Sequence, residues 1–172
     1  MQRFPRVHTH LLDALDSIRR PELKLAIVGD GPMRQVMVDR ISELRLGDRV
    51  ILAGEQQAPE DWLRAFDLFC LPSYANEGIP QALMQAMLCG LPVISTPVGA
   101  ITEAVSDEQT GIIVPPRDPA ALAGAITRLI DDPALCRRLG DAARVDAAAR
   151  FGFDQMVKRM EAIFTAAATA SA

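Results

Sequence analysis

DLFCLPSYANEGIPQALMQAMLCGLPVIST, residues 67–96, decides the fold. It opens on the apolar run Asp67 to Ser73, and Pro72 breaks it. A helical pattern then runs from Pro80 to Leu88, with Leu83, Met84, Met87 and Leu88 as its apolar positions. Pro92 to Thr96 is a second apolar run. Two short strands joined through a helix suit parallel pairing, which needs such a crossover because a tight hairpin cannot return the chain in the same direction. Both runs are continuously apolar rather than alternating, the signature of strands buried on both faces.

The same alternation extends outward in both directions. Upstream lie a helix over residues 6–20 carrying Val7, Leu11, Leu15 and Ile18, a strand in LKLAIVG (23–29), and a helix with Met33, Val36, Met37, Ile41 and Leu44 on one face. A strand in RVILAG (49–54) and a short helix from Pro59 to Ala65 follow. Downstream come a short helix near Ala100 to Val105 and a strand in GIIVP (111–115). After Pro116 the chain turns to helix only. Asp118-Pro119 and Asp132-Pro133 each supply an N-cap followed by an N1 proline, and a last amphipathic segment spans Phe153 to Phe164. Residues 167–172 read as a disordered tail. The fold class is therefore α/β, an open parallel sheet with helices on both faces and a helical C-terminal tail, in a single domain over 1–172. The first element is a helix with no strand before it. In a doubly wound domain such a helix is a crossover, so an earlier strand is expected ahead of it.

Composition limits the functional classes. The chain has 172 residues, 49% of them hydrophobic, enough for a core without staples. Its formal charge of -4 is spread among mixed signs with no basic block, which argues against nucleic acid as a partner. Cys70, Cys89 and Cys136 have no metal-binding spacing and read as small buried hydrophobes of a reducing compartment. His8 and His10 read as surface residues without the further ligands a metal needs. There is no GxSxG nucleophile motif, no membrane span and no signal peptide, so a cytoplasmic location is expected.

Ligands of open α/β sheets sit beyond the carboxyl ends of the strands. The loops there are 29–32, 54–59, 72–80, 96–100 and 115–118. Gly78-Ile79-Pro80 puts a flexible residue and an N1 proline at a helix mouth, where free N–H groups favour phosphate; Thr96-Pro97-Val98-Gly99 offers a similar mouth. Many helices begin with Gly or Pro for structural reasons, so a single such loop does not name a ligand. Gly29-Asp30-Gly31 invites a dinucleotide reading, but Arg34 stands where GxGxxG needs glycine, which disfavours an NAD-dependent oxidoreductase.

Taken in register, LAIVGDGP, RVILAG, DLFCLPS, NEGIPQALMQAMLCGLPVISTPVGAITEAV and TGIIVPPRDPAALAGAI resemble the C-terminal, donor-binding domain of retaining glycosyltransferases of family 4 ("group 1"). The resemblance covers residues 8–165 and is most specific over 77–96. It implies one Rossmann-like half of a GT-B fold, a nucleoside-diphosphate sugar as donor, no metal or other cofactor, and transfer to an acceptor hydroxyl with retention. It implies Glu77 as the catalytic acid beside the donor sugar. It places Gly29, Gly31, Gly54, Asn76, Gly78, Ile79, Pro80, Gln85 and Thr96 in the donor site, with Gly78 and Ile79 offering backbone amides to the diphosphate. Gln85 falls, eight residues after Glu77, where the family has a second acid that binds ribose hydroxyls. An amide offers one neutral acceptor where a carboxylate offers two charged ones, a loss of about 1 kcal/mol.

The family's basic pair on the loop after its first strand has no counterpart here, and its acceptor-binding N-terminal domain is an expected partner from the same polypeptide. The fragment is expected to transfer nothing by itself. The acceptor implied is a glycan or a lipid-linked glycan, in cell-surface polysaccharide synthesis, with peripheral contact to the inner membrane face through that other domain. Two readings stay open beside it: a non-catalytic nucleotide-binding or scaffolding module with a degenerate site, and a nucleotide-sugar epimerase of the same architecture.

Overall fold

The computed structural model describes residues 7–75 and 78–170. Asn76 and Glu77 lie outside the described residues, and so do Met1 to Arg6. The elements are α1 (Val7–Ser17), β1 (Leu25–Val28), α2 (Arg34–Glu43), β2 (Val50–Gly54), α3 (Pro59–Ala65), β3 (Phe69–Leu71) and α4 (Gln81–Leu88). They continue with β4 (Val93–Ser95), α5 (Ile101–Ala104), β5 (Gly111–Ile113), α6 (Pro119–Asp131), α7 (Pro133–Phe151) and α8 (Phe153–Ala170). Every strand and helix that the sequence placed within the described residues is present, each strand shortened to the residues that pair.

All strand pairs are parallel, and the strands form two hydrogen-bonded pieces, β1-β2 and β3-β4-β5. The expected single sheet is divided between β1 and β3. Each of these strands has one hydrogen-bonded neighbour, which explains why both are only half-buried along their length while Val93, Ile94 and Ser95 of β4 are fully buried.

Period-two alternation divides the three-stranded piece between two cores. Ile94 and Ile112, with Leu68 and Cys70 beside them, face α1, α6 and the start of α7. Val93, with Phe69, Leu71 and Ile113, faces α4, α5 and the later turns of α7. The two-stranded piece packs Ile27, Val50 and Leu52 on α1 and α2, while Ile51 on its other face is half exposed. The helix α1 spans both pieces: Leu11, Ala14 and Ile18 join the first core, Leu12 and Leu15 the third.

Helix termini follow their sequence signals. Asp118 accepts the Ala121 N–H at 2.9 Å, and Asp132 accepts those of Ala134 and Leu135 at 3.1 and 2.9 Å, each followed by its N1 proline. The C-terminus of α4 is a Schellman motif: Gly90 at φ 79° donates to the Met87 carbonyl and Leu91 to that of Ala86.

Five expectations change. Pro80 is the N-cap residue of α4, not its first helical position, because its ψ of 133° is extended. Val36 is 41% exposed, since α2 covers only the narrow β1-β2 piece. His10 is half-buried, with its Nδ1 buried and unpartnered, where a surface residue was expected. Cys89 is exposed at the C-cap of α4, since the helix ends there and turns it outward; Cys70 and Cys136 are half-buried. Residues 167–170 continue α8.

Candidate functional site

The carboxyl ends of the strands gather the loops named by the sequence. At β1 and β2, Gly29 donates its N–H to the Gly54 carbonyl at 2.7 Å and the two glycines form an isolated bridge. Gly29 has φ 120° and Gly54 φ 70°, conformations that side chains disfavour, so both glycines are required by the backbone. Next to them Gly31 donates to Asp30 Oδ1 at 2.7 Å. A Cβ on Gly54 would lie 4.0 Å from Arg34 Nη1, which places this guanidinium over the bridge. The loop after β2 is braced by Gln56, which donates to the Ala53 carbonyl at 2.7 Å and accepts from Trp62 Nε1 at 3.1 Å.

At β3 and β4 two buried hydroxyls tie one strand end to the next. Ser95 Oγ donates to the Leu71 carbonyl at 2.7 Å, and Thr96 Oγ1 donates to the carbonyl of Ser73. Thr96 is fully buried with its donor committed. Its side chain acts by fixing where loop 72–80 leaves the sheet. Replacing Thr96 with Val removes this donor at constant shape and should cost about 1–2 kcal/mol. Urea denaturation of Thr96→Val beside Thr96→Ser, which keeps the hydroxyl, checks it; equal stability of the two variants would refute the assignment.

Loop 72–80 then delivers α4. Leu83 and Met84 donate to the Pro80 carbonyl, so the N–H groups of Gln81 and Ala82 have no intrahelical acceptor. Ile79 anchors the mouth against the core beneath α4, α5 and α7. A Cβ on Gly78 would meet nothing within 4 Å, and Gly78 is not among the positive-φ glycines. Gln85 is half-buried one turn along α4, and its side chain makes no hydrogen bond to a described residue.

Two features carried no signal in the sequence. Arg117, after β5, has φ 60° and sets its guanidinium over the Tyr74 ring, 5.1 Å from the centroid. This contact joins the loop after β5 to the loop after β3. Arg34 was read only as a residue that spoils a glycine motif, and its place over Gly54 depends on the β1-β2 bridge. Neither arginine is ion-paired to a described residue. Of the thiols, Cys70 is pushed up to about 12 by burial alone and stays protonated near neutrality, so it is no nucleophile. No group of three or more His, Cys, Asp or Glu that could hold a metal exists among the described residues.

The site thus offers glycine-shaped backbone, helix-mouth N–H groups without intrahelical acceptors and cations at one sheet edge, an arrangement suited to an anionic ligand. Similarity to known proteins agrees with this class. The family model "Glycosyl transferases group 1" matches residues 6–146, and the chain belongs to that family. It is 38% identical over 147 residues to an exopolysaccharide phosphotransferase of Streptomyces coelicolor, covering 84% of this chain and 15% of that protein. It is 32% identical over 143 residues to the N-acetyl-alpha-D-glucosaminyl L-malate synthase of Bacillus anthracis, covering 83% of this chain and 37% of the synthase. The crystal structure of Anabaena HepE in complex with UDP superposes with a TM-score of 0.88 at 25% identity, over 95% of this chain and 47% of HepE. The chain spans well under half the length of the two curated relatives and about half that of HepE. No helix among the described residues is long and apolar enough to cross a membrane.

Proposed function

We propose that this chain is the donor-binding half of a retaining glycosyltransferase that moves a sugar from a nucleoside diphosphate to an acceptor hydroxyl. The observation that carries the reading is the mouth of α4. The Gln81 and Ala82 N–H groups lack helical acceptors, and neither positive φ nor packing demands glycine at the adjacent position 78. A glycine that the chain's own atoms do not require suits a diphosphate approaching the backbone closely. In this reading the backbone N–H groups of Gly78 and Ile79 hold the diphosphate, Gln85 meets the ribose, and Gly29, Gly31 and Gly54 border the base. Asn76 and Glu77 lie at the donor sugar, with Glu77 as the catalytic acid.

The glycosidic bond to the diphosphate breaks and the acceptor oxygen bonds to the same face of the sugar. Charge gathers on the leaving diphosphate, and preorganised N–H donors with nearby cations stabilise it, so no metal is required of this half. The acceptor is held by an N-terminal domain of the same polypeptide, and the isolated chain binds donor without transferring it. A degenerate binding module is the second reading, favoured by the uncharged Gln85.

Calorimetric titration of the chain with UDP, GDP, ADP and their sugar conjugates tests this. One nucleotide should saturate. Glu77→Ala should weaken the sugar conjugate more than the free diphosphate, and Gln85→Glu should tighten both about fivefold through charge assistance. Absence of binding by this chain and by its full-length parent would reject the donor site; binding without turnover by the parent would favour the degenerate module.

A further inference from the structure

Among the described residues, Arg45, Glu108 and Arg117 have positive φ without being glycine, at 53°, 60° and 60°. Two of them have a local reason. Arg45 follows the C-cap of α2, where its N–H bonds the Ser42 carbonyl and that of Leu46 bonds the Ile41 carbonyl, the pattern of a Schellman motif. Glu108 donates its N–H to the Gly111 carbonyl at 2.8 Å, and both its carboxylate oxygens accept from Arg128. Arg117 differs from both. It follows Pro116 in the turn between β5 and α6, and a turn with proline before a positive-φ residue calls for glycine at that second place. Asp118 beside it is committed to capping α6, and Arg117 is ion-paired to no described residue. Its exposed guanidinium meets the face of Tyr74 instead.

The energies run against a purely stabilising role for this contact. A left-handed conformation costs a residue with a side chain more than an exposed cation–π contact returns. The position of Tyr74 supplies another reason. Tyr74 directly follows Ser73, whose carbonyl accepts from the buried Thr96 hydroxyl, and loop 72–80 is anchored again at Ile79 in the core. We propose that Arg117 is a positioning residue of the nucleotide site: by covering the Tyr74 ring it fixes the direction in which loop 72–80 leaves the sheet, and so the placing of Gly78, Ile79 and the mouth of α4. The clasp itself stands on geometry; that it serves a diphosphate rests on the donor reading.

Four single variants of the 172-residue chain test it, Arg117→Gly, Arg117→Asn, Tyr74→Leu and Tyr74→Phe. Glycine and asparagine accept the left-handed conformation without supplying a cation, so the urea midpoints of both Arg117 variants should match or exceed that of the unsubstituted chain. Amide exchange at Gly78, Ile79 and Leu83 should nevertheless quicken about two- to fivefold, the equivalent of one exposed cation–π contact. Tyr74→Leu should quicken the same amides, and Tyr74→Phe, which keeps the ring face, should not. Affinity for whichever of UDP, GDP and ADP saturates the chain should fall by the same factor in Arg117→Gly and in Tyr74→Leu. Their double variant should fall no further, because both changes remove one contact. Unchanged exchange in both Arg117 variants would overturn the inference, as would lowered midpoints in both, equal exchange in Tyr74→Phe and Tyr74→Leu, or additive losses in the double variant. Absence of nucleotide binding by the unsubstituted chain would count against the donor reading alone, and exchange at the mouth of α4 would then decide whether Arg117 positions the loop.

Discussion

Gly140→Ala should cost roughly 3 kcal/mol or more, because the added methyl meets backbone that has no rotamer to yield. Gly140 lies within α7 where this helix crosses the end of α4, and a Cβ there would collide with the carbonyl oxygen of Gly90, with Gly90 C at 3.2 Å and Pro92 N at 3.3 Å behind it. That carbonyl belongs to the turn made by the Schellman motif of α4, and Pro92 leads into β4. Relief requires α7 to withdraw from α4, opening the core that holds Leu83, Met87 and Ala143. Gly124→Ala is the matched control. It too is inside a helix, but its Cβ meets nothing within 4 Å, so the smaller entropy loss of alanine should stabilise the fold by about 0.5–1 kcal/mol. Urea denaturation should move the two midpoints in opposite directions at an unchanged slope. A Gly140→Ala midpoint at or above that of the unsubstituted chain would show that α4 and α7 are not packed this closely.

The second large effect is expected at Gly111, the first residue of β5. A Cβ here would stand 2.6 Å from Val93 Cγ2, 2.7 Å from the Val93 carbonyl oxygen and 2.8 Å from Val105 Cγ1. Val93 is fully buried in the middle strand of the three-stranded piece and Val105 is buried at the end of α5, so neither has space to retreat. Gly111→Ala should therefore cost about 3 kcal/mol, by driving β5 away from β4. The displacement also reaches the site, since β4 carries Ser95 and leads into Thr96, whose hydroxyls hold the loop that opens α4. Nucleotide binding should weaken even at temperatures where the variant remains folded, and titration beside a melting curve separates the two effects. Full stability with full binding would refute the contact.

Much of the architecture was legible because burial writes itself into residue order. Continuous apolar runs marked all the strands, and the Asp-Pro pairs at 118–119 and 132–133 marked two helix starts where side-chain caps are found. The glycine-bearing loops at the strand ends were legible, and Gly29 and Gly54 there both have the positive φ that only glycine adopts freely. The bond from the Thr96 hydroxyl to the Ser73 carbonyl was not legible, because which carbonyl lies beside a buried hydroxyl is decided by strand pairing.

By itself the sequence determined the parallel α/β class, the order of elements, and the glycine-bearing loops at the carboxyl ends of the strands, because each follows from local periodicity, backbone conformational preference or chain direction. Only the tertiary structure decided that the strands form two pieces, β1-β2 and β3-β4-β5, that Arg34 lies over Gly54, and that Arg117 meets Tyr74. These are contacts between residues distant along the chain. They depend on which strand edge lies beside which, and hydrogen-bond pairing between strands leaves no periodicity in the residues that make it.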